Sequence, residues 1–222
     1  MLINEDNFRQ IISQLAPKEV TLVAVSKIKP VEAIRALYNL GQRHFGENYV
    51  QEMAEKQALL PNDIRWHFIG HLQSNKVKYI APFVHLIHGI DSLKLLKEVN
   101  KQAIRANRII GVLLQVHIAK EETKFGFGPA ELLVPELLHE LSSLPAVTIK
   151  GLMGMASFSE DQEVVRSEFR ELKQLFDKLS EKDLPNFAVD TLSMGMSGDY
   201  ITAIEEGATM VRIGSLLFGR RS

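Results

Sequence analysis

The sequence of 222 residues contains no cysteine. This absence excludes disulfides, thiolate nucleophiles, iron–sulfur clusters and thiolate zinc sites as features of the protein. A chain without disulfides fits a reducing compartment, and we therefore expect a cytoplasmic location.

The sequence also lacks an excess of either charge and any long apolar run. Lysine and arginine number 26 against 27 aspartates and glutamates, so the basic surface that a nucleic-acid-binding protein needs is not expected. The longest uncharged stretches, residues 79–90 and 109–119, are far shorter than the roughly 20 residues of a membrane helix. The first ten residues are polar and acidic, unlike a secretory signal. We expect a soluble protein that binds neither nucleic acid nor membranes.

Short apolar runs rich in β-branched residues alternate along the chain with segments of helical period. The strands are predicted at residues 21–26, 44–47, 66–70, 85–90, 108–118, 148–155, 188–194 and 209–214. Strands that alternate with helices indicate a parallel sheet, and eight such units favour a single α/β domain over residues 1–222, a (β/α)₈ TIM barrel. The alternative is an open, doubly wound sheet. An additional amphipathic N-terminal helix, with its apolar face at Phe8, Ile11, Ile12 and Leu15, is expected to cover the barrel where a final helix is missing.

Helix boundaries can be predicted from capping residues. Ser92 is a candidate N-cap, and Ser159 with Gln162 matches the pattern of a capping box. Pro135 predicts a break or a late start in the helix that follows the fifth strand.

The loops after the last two strands have the composition of a phosphate site. Gly195, Gly198 and Gly214 allow backbone amides to approach an anion, while Ser197 and Ser215 add hydroxyl groups. Ser197 is also the predicted cap of the short helix that follows. TIM barrels often bind phosphate at these two loops, although the glycines could instead serve only tight turns.

Two cationic residues lie at the ends of strands that border this loop pair. Lys27 follows the first strand, and a partly buried lysine there could form a Schiff base with a carbonyl compound. Arg212 lies two residues before Gly214 on the last strand and could face the ring of a bound ligand. The alternatives are a solvated strand end for Lys27 and a surface ion pair for Arg212.

Five segments in the same order resemble the pyridoxal phosphate homeostasis proteins, single-domain relatives of the alanine racemase barrel. They are AVSKIKP (24–30), FGENYVQE (45–52), WHFIGHLQSNK (66–76), SMGMSGD (193–199) and VRIGSLLFG (211–219). The resemblance covers nearly the whole chain. It implies the type III fold of pyridoxal 5′-phosphate (PLP) proteins and a role in intracellular vitamin B6 homeostasis.

The resemblance also implies which residues bind PLP. The implied contacts are Lys27, Asn48, Arg212, Ser197, Gly214 and Ser215. Lys27 would carry PLP as a reversible Schiff base, Arg212 would face the pyridine nitrogen, and Asn48 would lie beside the cofactor. Ser197, Gly214 and Ser215 would hold the phosphate.

An arginine beside the pyridine nitrogen disfavours protonation of that nitrogen and leaves the ring a weak electron sink. The related racemases use a second acid–base tyrosine from a separate β-domain, and the sequence ends at Ser222 without one. Tyr49 and Tyr200 are expected to serve packing. We therefore expect a PLP carrier without robust turnover and assign no catalytic residue. The alternatives are a PLP-dependent amino-acid racemase and a barrel that binds another phosphorylated metabolite.

Several other expectations follow from the same sequence. The partners expected are PLP, other B6 vitamers and PLP-dependent apoenzymes, and the protein is expected to be a monomer. His67 and His71 are four residues apart on a strand and its loop, a spacing that does not favour a metal site. The polar residues at 73–76 are expected to shape the rim of the pocket. Lys124 is expected to be a solvated loop lysine, with transient cofactor capture as the alternative.

Overall fold

Eight parallel strands form a closed barrel in the computed structural model, which describes residues 2–119 and 125–219. The strands are β1 Thr21–Val25, β2 His44–Glu47, β3 Arg65–Phe68, β4 Leu86–Ile90, β5 Ile110–Val116, β6 Val147–Gly154, β7 Phe187–Ser193 and β8 Met210–Ile213. Each strand pairs in parallel with the next, and β8 closes the barrel against β1. The predicted (β/α)₈ architecture is confirmed, and the alternative of an open sheet is wrong.

Helices surround the barrel. They are α1 Glu5–Leu15, α2 Val31–Asn39, α3 Val50–Leu59, α4 Val77–Ile80, α5 Leu93–Arg105, α6 Pro135–Ser142, α7 Gln162–Ser180, α8 Tyr200–Glu205 and α9 Ser215–Phe218. Across residues 2–119 and 125–219, no helix combines the length and apolar character needed to cross a membrane.

The strands separate two apolar layers because successive side chains point to opposite faces. The large outer layer packs between the sheet and the helices, and one of its members, Phe169 of α7, is fully buried. The small inner cluster consists of Val23, Leu86, Leu113, Met153 and Met210. The remaining inward positions of several strands are polar, and these positions form the site described below.

The helix boundaries test the predicted caps. The Ser92 hydroxyl accepts from the amide of Leu95 at 3.3 Å, as expected of an N-cap, and Pro135 starts α6 in its first turn. The predicted capping box at Ser159 is wrong. Asp161 caps α7, because its carboxylate accepts from the amide of Glu163 at 3.0 Å, while Ser159 accepts from the amide of Asp161.

The N-terminal helix packs against α9, the short helix that follows β8. The amide of Asn4 donates to the carbonyl of Leu217 at 2.7 Å, and the Asn7 side chain donates to the carbonyl of Leu216 at 3.0 Å. These bonds tie α1 to α9, the short helix after β8. The helix therefore covers the last unit of the barrel, as its amphipathic pattern predicts.

Candidate functional site

The carboxyl ends of β7, β8, β1 and β2 are neighbours in the closed sheet. These four strands and the loops that follow them contain the candidate residues. The closed sheet therefore brings loops from opposite ends of the sequence to one end of the barrel. Lys27 lies two residues after β1, Asn48 directly follows β2, and Gly214 directly follows β8. Lys27 is half-buried.

A strained turn presents Lys27. Ile28, the next residue, has a left-handed backbone with φ of 61°, which is unusual for a β-branched side chain. Its amide donates to Oε1 of Glu52 at 2.6 Å. The amide of Lys29 donates to the carbonyl of Ser26 at 3.0 Å and closes the turn. Strain of this kind persists where surrounding bonds impose it, and the lysine is therefore held by a defined backbone.

A buried ionic network supports the same turn from below. Nζ of Lys56 lies 2.8 Å from Oε1 of Glu47, 2.6 Å from Oε1 of Glu52 and 2.7 Å from the carbonyl oxygen of Ser26. The Ser26 hydroxyl donates to Oε1 of Glu47 at 2.6 Å. Burial raises the pKa of Glu47, and the charge of Lys56 opposes that rise. Sequence reasoning missed this network, although Glu52 and Lys56 have the i, i+4 spacing of a helical ion pair.

The loops after β7 and β8 meet as expected for a phosphate site. The amide of Gly214 donates to the hydroxyl of Ser197 at 3.4 Å, and Ser215 is exposed at the start of α9. Gly195 has a φ of +89°, and a Cβ there would lie 2.5 Å from Cβ of Ala203. A side chain is therefore excluded from this turn.

The predicted helix cap at Ser197 is wrong. Asp199 occupies the N-cap position of α8 without a side-chain bond to the helix. Its Oδ1 instead accepts from the amide of Met196 at 2.5 Å, which places Ser197 in the loop ahead of the helix. The Ser197 hydroxyl thus faces the β8 loop.

Arg212 is buried inside the barrel and does not form the surface ion pair considered from the sequence. Its Nη1 donates to the hydroxyl of Ser193 at 2.6 Å, and its Nη2 donates to the carbonyl of Gly154 at 3.0 Å. Burial lowers the pKa of Arg212 to about 10, and the guanidinium therefore remains charged at neutral pH. Among the described residues, no carboxylate lies within ion-pair distance of it.

A cavity of about 560 Å³ opens beside Asn48. Its lining consists of Asn48, Tyr49, Val50, Gln51, Phe68, His71, Gln73, Lys76 and Tyr79. Oδ1 of Asn48 is buried and has no hydrogen-bond partner in the described part of the chain. The presence of Gln73 and Lys76 agrees with the expectation that residues 73–76 shape a pocket rim.

A column of three histidines continues from Arg212 towards the amino ends of the strands, the barrel floor. Nδ1 of His88 lies 3.0 Å from the Ser193 hydroxyl, and Nε2 of His88 lies 2.8 Å from Nδ1 of His67. Nε2 of His67 lies 2.8 Å from Nδ1 of His44. Burial lowers the pKa of His88 and of His67 well below its ordinary value, and lowers that of His44 to about 4. All three imidazoles are therefore neutral.

His44, His67 and His85 form the one histidine cluster among the described residues whose ring nitrogens are close enough to share a metal ion. Two of these nitrogens are already hydrogen-bonded to each other. Burial lowers the pKa of His85, and the positive charges of Arg65 and Arg108 lower it further. These charges would also repel a cation. We therefore assign no metal to this cluster.

Other candidate residues have structural partners. Nδ1 of His71 lies 3.0 Å from Oδ2 of Asp91, a carboxylate partner that the sequence did not reveal. The Tyr200 hydroxyl donates to Oε1 of Gln14 in α1 at 2.8 Å, which supports a packing role. Tyr49 is exposed and lines the cavity, and the packing role expected of it is therefore wrong. Lys124 lies outside the described residues.

Sequence reasoning also missed the partners of Arg212. His88 and Ser193, which are in contact, lie 105 positions apart in the sequence. Side chains alternate between the two faces of a strand, but His67 and His88 can be assigned to the same face only when the pairing of their strands is known. The polar residues within otherwise apolar strands are the signal that could have indicated a buried polar network.

Comparison with known proteins gives consistent matches. Residues 4–222 match the family described as "Alanine racemase, N-terminal domain". The chain is 47% identical to the pyridoxal phosphate homeostasis protein of Aquifex aeolicus (strain VF5) over 201 residues, which are 90% of this chain and 86% of that protein. It is 39% identical to PipY of Synechococcus elongatus PCC7942, solved with PLP bound, at a TM-score of 0.87 and with 96% of this chain and 99% of that chain covered.

Alanine racemase from Bartonella henselae has the same fold at 17% identity. The TM-score is 0.72, and the match covers 94% of this chain and 56% of that chain. At this identity the likeness shows the fold alone.

Proposed function

The chain belongs to the family of the alanine racemase N-terminal domain and, within it, to the pyridoxal phosphate homeostasis proteins, and on this basis we propose that it binds PLP and serves intracellular PLP (vitamin B6) homeostasis. Lys27 holds PLP as a reversible Schiff base. PLP supplies an aldehyde whose condensation with an amine is readily reversed, which suits a protein that takes up and releases the compound. The related PipY, solved with PLP bound, supports this proposal.

The residues at the site fit PLP in charge and hydrogen-bonding capacity. Arg212 has five N–H donors, and the described residues accept from two of its nitrogens. The buried Oδ1 of Asn48 adds an acceptor without a partner in the described chain. In the proposal Ser197, Gly214 and Ser215 bind the phosphate through hydroxyl and amide groups. A buried acceptor without a partner, such as Oδ1 of Asn48, is costly, and a polar ligand can satisfy it.

The burial of Arg212 is the observation that carries the functional proposal. A guanidinium at the ring nitrogen donates a hydrogen bond and stays charged, and it thereby disfavours protonation of that nitrogen. Without a protonated nitrogen the ring withdraws electrons weakly, which is unfavourable for transamination or decarboxylation. A site of this kind retains PLP without driving those reactions.

We propose that the protein is a PLP carrier without robust turnover. A racemase needs a second acid–base group opposite Lys27, and Tyr200, one candidate, is engaged with Gln14 of the N-terminal helix. Incubation with single-enantiomer amino acids tests this proposal. The expected result is no optical inversion at ordinary enzyme rates, and sustained inversion would establish the racemase alternative.

Titration with PLP, followed by visible absorption, tests the proposed function. The wild-type protein should develop the visible band of a lysine-bound pyridoxal, and Lys27→Ala should not. Lys178→Ala is the control because Lys178 is an exposed lysine of α7, away from the proposed site, and its band should match that of wild type. A band that survives in Lys27→Ala would overturn the assignment. No band in wild type would favour another phosphorylated ligand.

A further inference from the structure

The histidine column links the barrel floor to Ser193, which accepts from Arg212. The successive contacts from His44 through His67 and His88 to Ser193 are 2.8, 2.8 and 3.0 Å. Buried polar groups are costly unless they are hydrogen-bonded. Each neutral imidazole offers one donor and one acceptor, and neighbouring rings must therefore all point their donors in the same direction.

Two directions are possible for the whole column. In the outward direction Ser193 donates to Nδ1 of His88, and every ring donates through Nε2 towards the floor. In the inward direction Arg65 donates to Nε2 of His44, and every ring donates through Nδ1 towards Ser193. The two directions differ in the tautomer of all three histidines.

The distances at the two ends favour the outward direction. At the buried end, Nη1 of Arg212 donates to the Ser193 hydroxyl at only 2.6 Å. At the exposed end, Nη1 of Arg65 lies 3.3 Å from Nε2 of His44 and can donate to it only in the inward direction. In the outward direction Arg65 gives up this longer bond and donates to solvent instead. A hydroxyl that donates a hydrogen bond is also a better acceptor, because chains of hydrogen bonds strengthen one another. The outward direction thus strengthens the bond from Arg212 to Ser193.

We propose that His88, His67 and His44 are positioning residues for Arg212, which act through Ser193 in the outward direction and hold the guanidinium where it meets the ring nitrogen of PLP. This inference rests on the proposed function. It gives a role to three buried histidines that the binding of PLP does not itself require, and it connects the cofactor site to the opposite end of the barrel.

Burial and the surrounding positive charges keep the column neutral. Burial lowers the pKa of His88, and Arg212 at the upper end lowers it further. At the floor, burial and the positive charges of Arg65, Arg108 and Lys150 lower the pKa of His85 beside the column. Lys150 is itself paired with Asp190 at 3.4 Å. A proton added to the column would meet these cations, and the neutral, directional state is therefore the one that acts on Arg212.

Nitrogen NMR of the apo protein tests the direction without PLP. Long-range correlations in ¹⁵N-histidine-labelled protein distinguish the two neutral tautomers, and single substitutions assign each ring. The expected result is Nε2–H for His44, His67 and His88. The Nδ1–H form in His67 and His88, or a protonated ring at neutral pH, would overturn the proposal. His85 serves as the comparison because its ring lies 5.3 Å from that of His67, outside the column.

Variants at His88 and Ser193 test the effect on Arg212. Ser193→Ala and His88→Gln remove the contact between positions 88 and 193. A loss of about 1.4 kcal/mol corresponds to a tenfold rise in the Kd for PLP, and we expect a rise of about that size with a shifted visible absorption maximum. His88→Asn retains a polar atom near the position of Nδ1 and should restore most of the affinity and the wild-type maximum. His85→Gln is the matched control.

The outcomes separate this inference from the proposed function. If wild type forms the lysine-bound band but Ser193→Ala and His88→Gln bind and absorb like His85→Gln, the positioning role is wrong and PLP binding stands. If wild type forms no band, PLP binding itself fails. Circular dichroism verifies the fold of each variant. Should the His88 variants not fold, the tautomers of the wild-type histidines decide the question, because Ser193→Ala also removes the direct acceptor of Arg212.

Discussion

Arg212 is the residue on which the character of the site depends most. It is a buried cation that two neutral oxygen atoms fix in place, and burial lowers its pKa only to about 10. Its charge is therefore permanent at physiological pH. In the proposed function this charge lies at the ring nitrogen of PLP, where it would make the ring a weak electron acceptor.

Arg212→Gln should weaken the binding of PLP while the bond to Lys27 still forms. A hydrogen bond from a charged group contributes about 1.5–3 kcal/mol, which corresponds to a rise in Kd of roughly ten- to a hundredfold. Absorption titration measures this change. Arg170→Gln, on the exposed face of α7, is the control and should bind as wild type does. A Kd for Arg212→Gln within twofold of wild type would contradict the role of Arg212.

The left-handed backbone at Ile28 gives a second residue-scale prediction. At an ordinary exposed position alanine is more stable than glycine by roughly 0.5–1 kcal/mol. At Ile28, with a φ of 61°, we expect Ile28→Gly to be more stable than Ile28→Ala by about 1 kcal/mol, because glycine tolerates left-handed geometry. Urea unfolding of the two variants gives the sign. Greater stability of the alanine variant would show that the turn is not strained.

At the scale of elements, β2 and α3 act as a support for the turn that presents Lys27. The carboxylate of Glu47 at the end of β2 and the amine of Lys56 in α3 are both buried and paired. A buried ion pair adds little net stability, but the loss of one partner leaves an uncompensated charge. The two elements and the lysine turn are therefore energetically linked.

Lys56→Met should lower the free energy of unfolding by about 3–5 kcal/mol, since Glu47 loses its buried partner. The added change Glu47→Gln should recover part of this loss. Arg9→Met breaks the exposed pair of Arg9 with Glu5 and should cost less than about 1 kcal/mol. Denaturant unfolding compares the three variants. Equal losses of unfolding free energy in Lys56→Met and Arg9→Met would contradict the supporting role of the network.

The elements also show how far sequence reasoning reaches. Eight strands and the position of Lys27 after β1 follow from alternation and turn residues, which are local signals. The cap of α7 was misplaced because Asp161 competes with Ser159 for the same helix end. The histidine column could not be predicted, since His88 and Ser193 meet only through the register of a closed barrel.

At the scale of the whole molecule, the buried histidines make stability depend on pH. The folded pKa of His67 and of His88 lies well below the ordinary value of 6.5, and below about pH 6.5 the unfolded chain therefore binds protons that the folded chain does not. Stability falls as the pH falls through this window, by up to about 1.4 kcal/mol per pH unit for each group. The raised pKa of Glu47 acts in the opposite sense.

Urea unfolding between about pH 5 and pH 7 checks this dependence. Wild type should lose stability towards acid more steeply than His88→Asn, because the variant has one histidine fewer to protonate on unfolding. The comparison cancels the contribution of Glu47, which both proteins share. Parallel slopes would contradict the neutral state of His88.

The oligomeric state, the cellular location and the further partners of the protein stay predictions. A monomer, a cytoplasmic location, and binding of other B6 vitamers or PLP-dependent apoenzymes all await measurement. Size-exclusion chromatography with light scattering decides the first, and transfer of PLP from the loaded protein to an apoenzyme tests the last.

Peptide mapping after borohydride reduction locates the lysine that holds PLP. Reduction turns the reversible bond into a stable one, and mass spectrometry then identifies the peptide with the pyridoxyl group. We expect a single modified peptide that contains Lys27. A pyridoxyl group on another lysine, with Lys27 unmodified, would contradict this expectation.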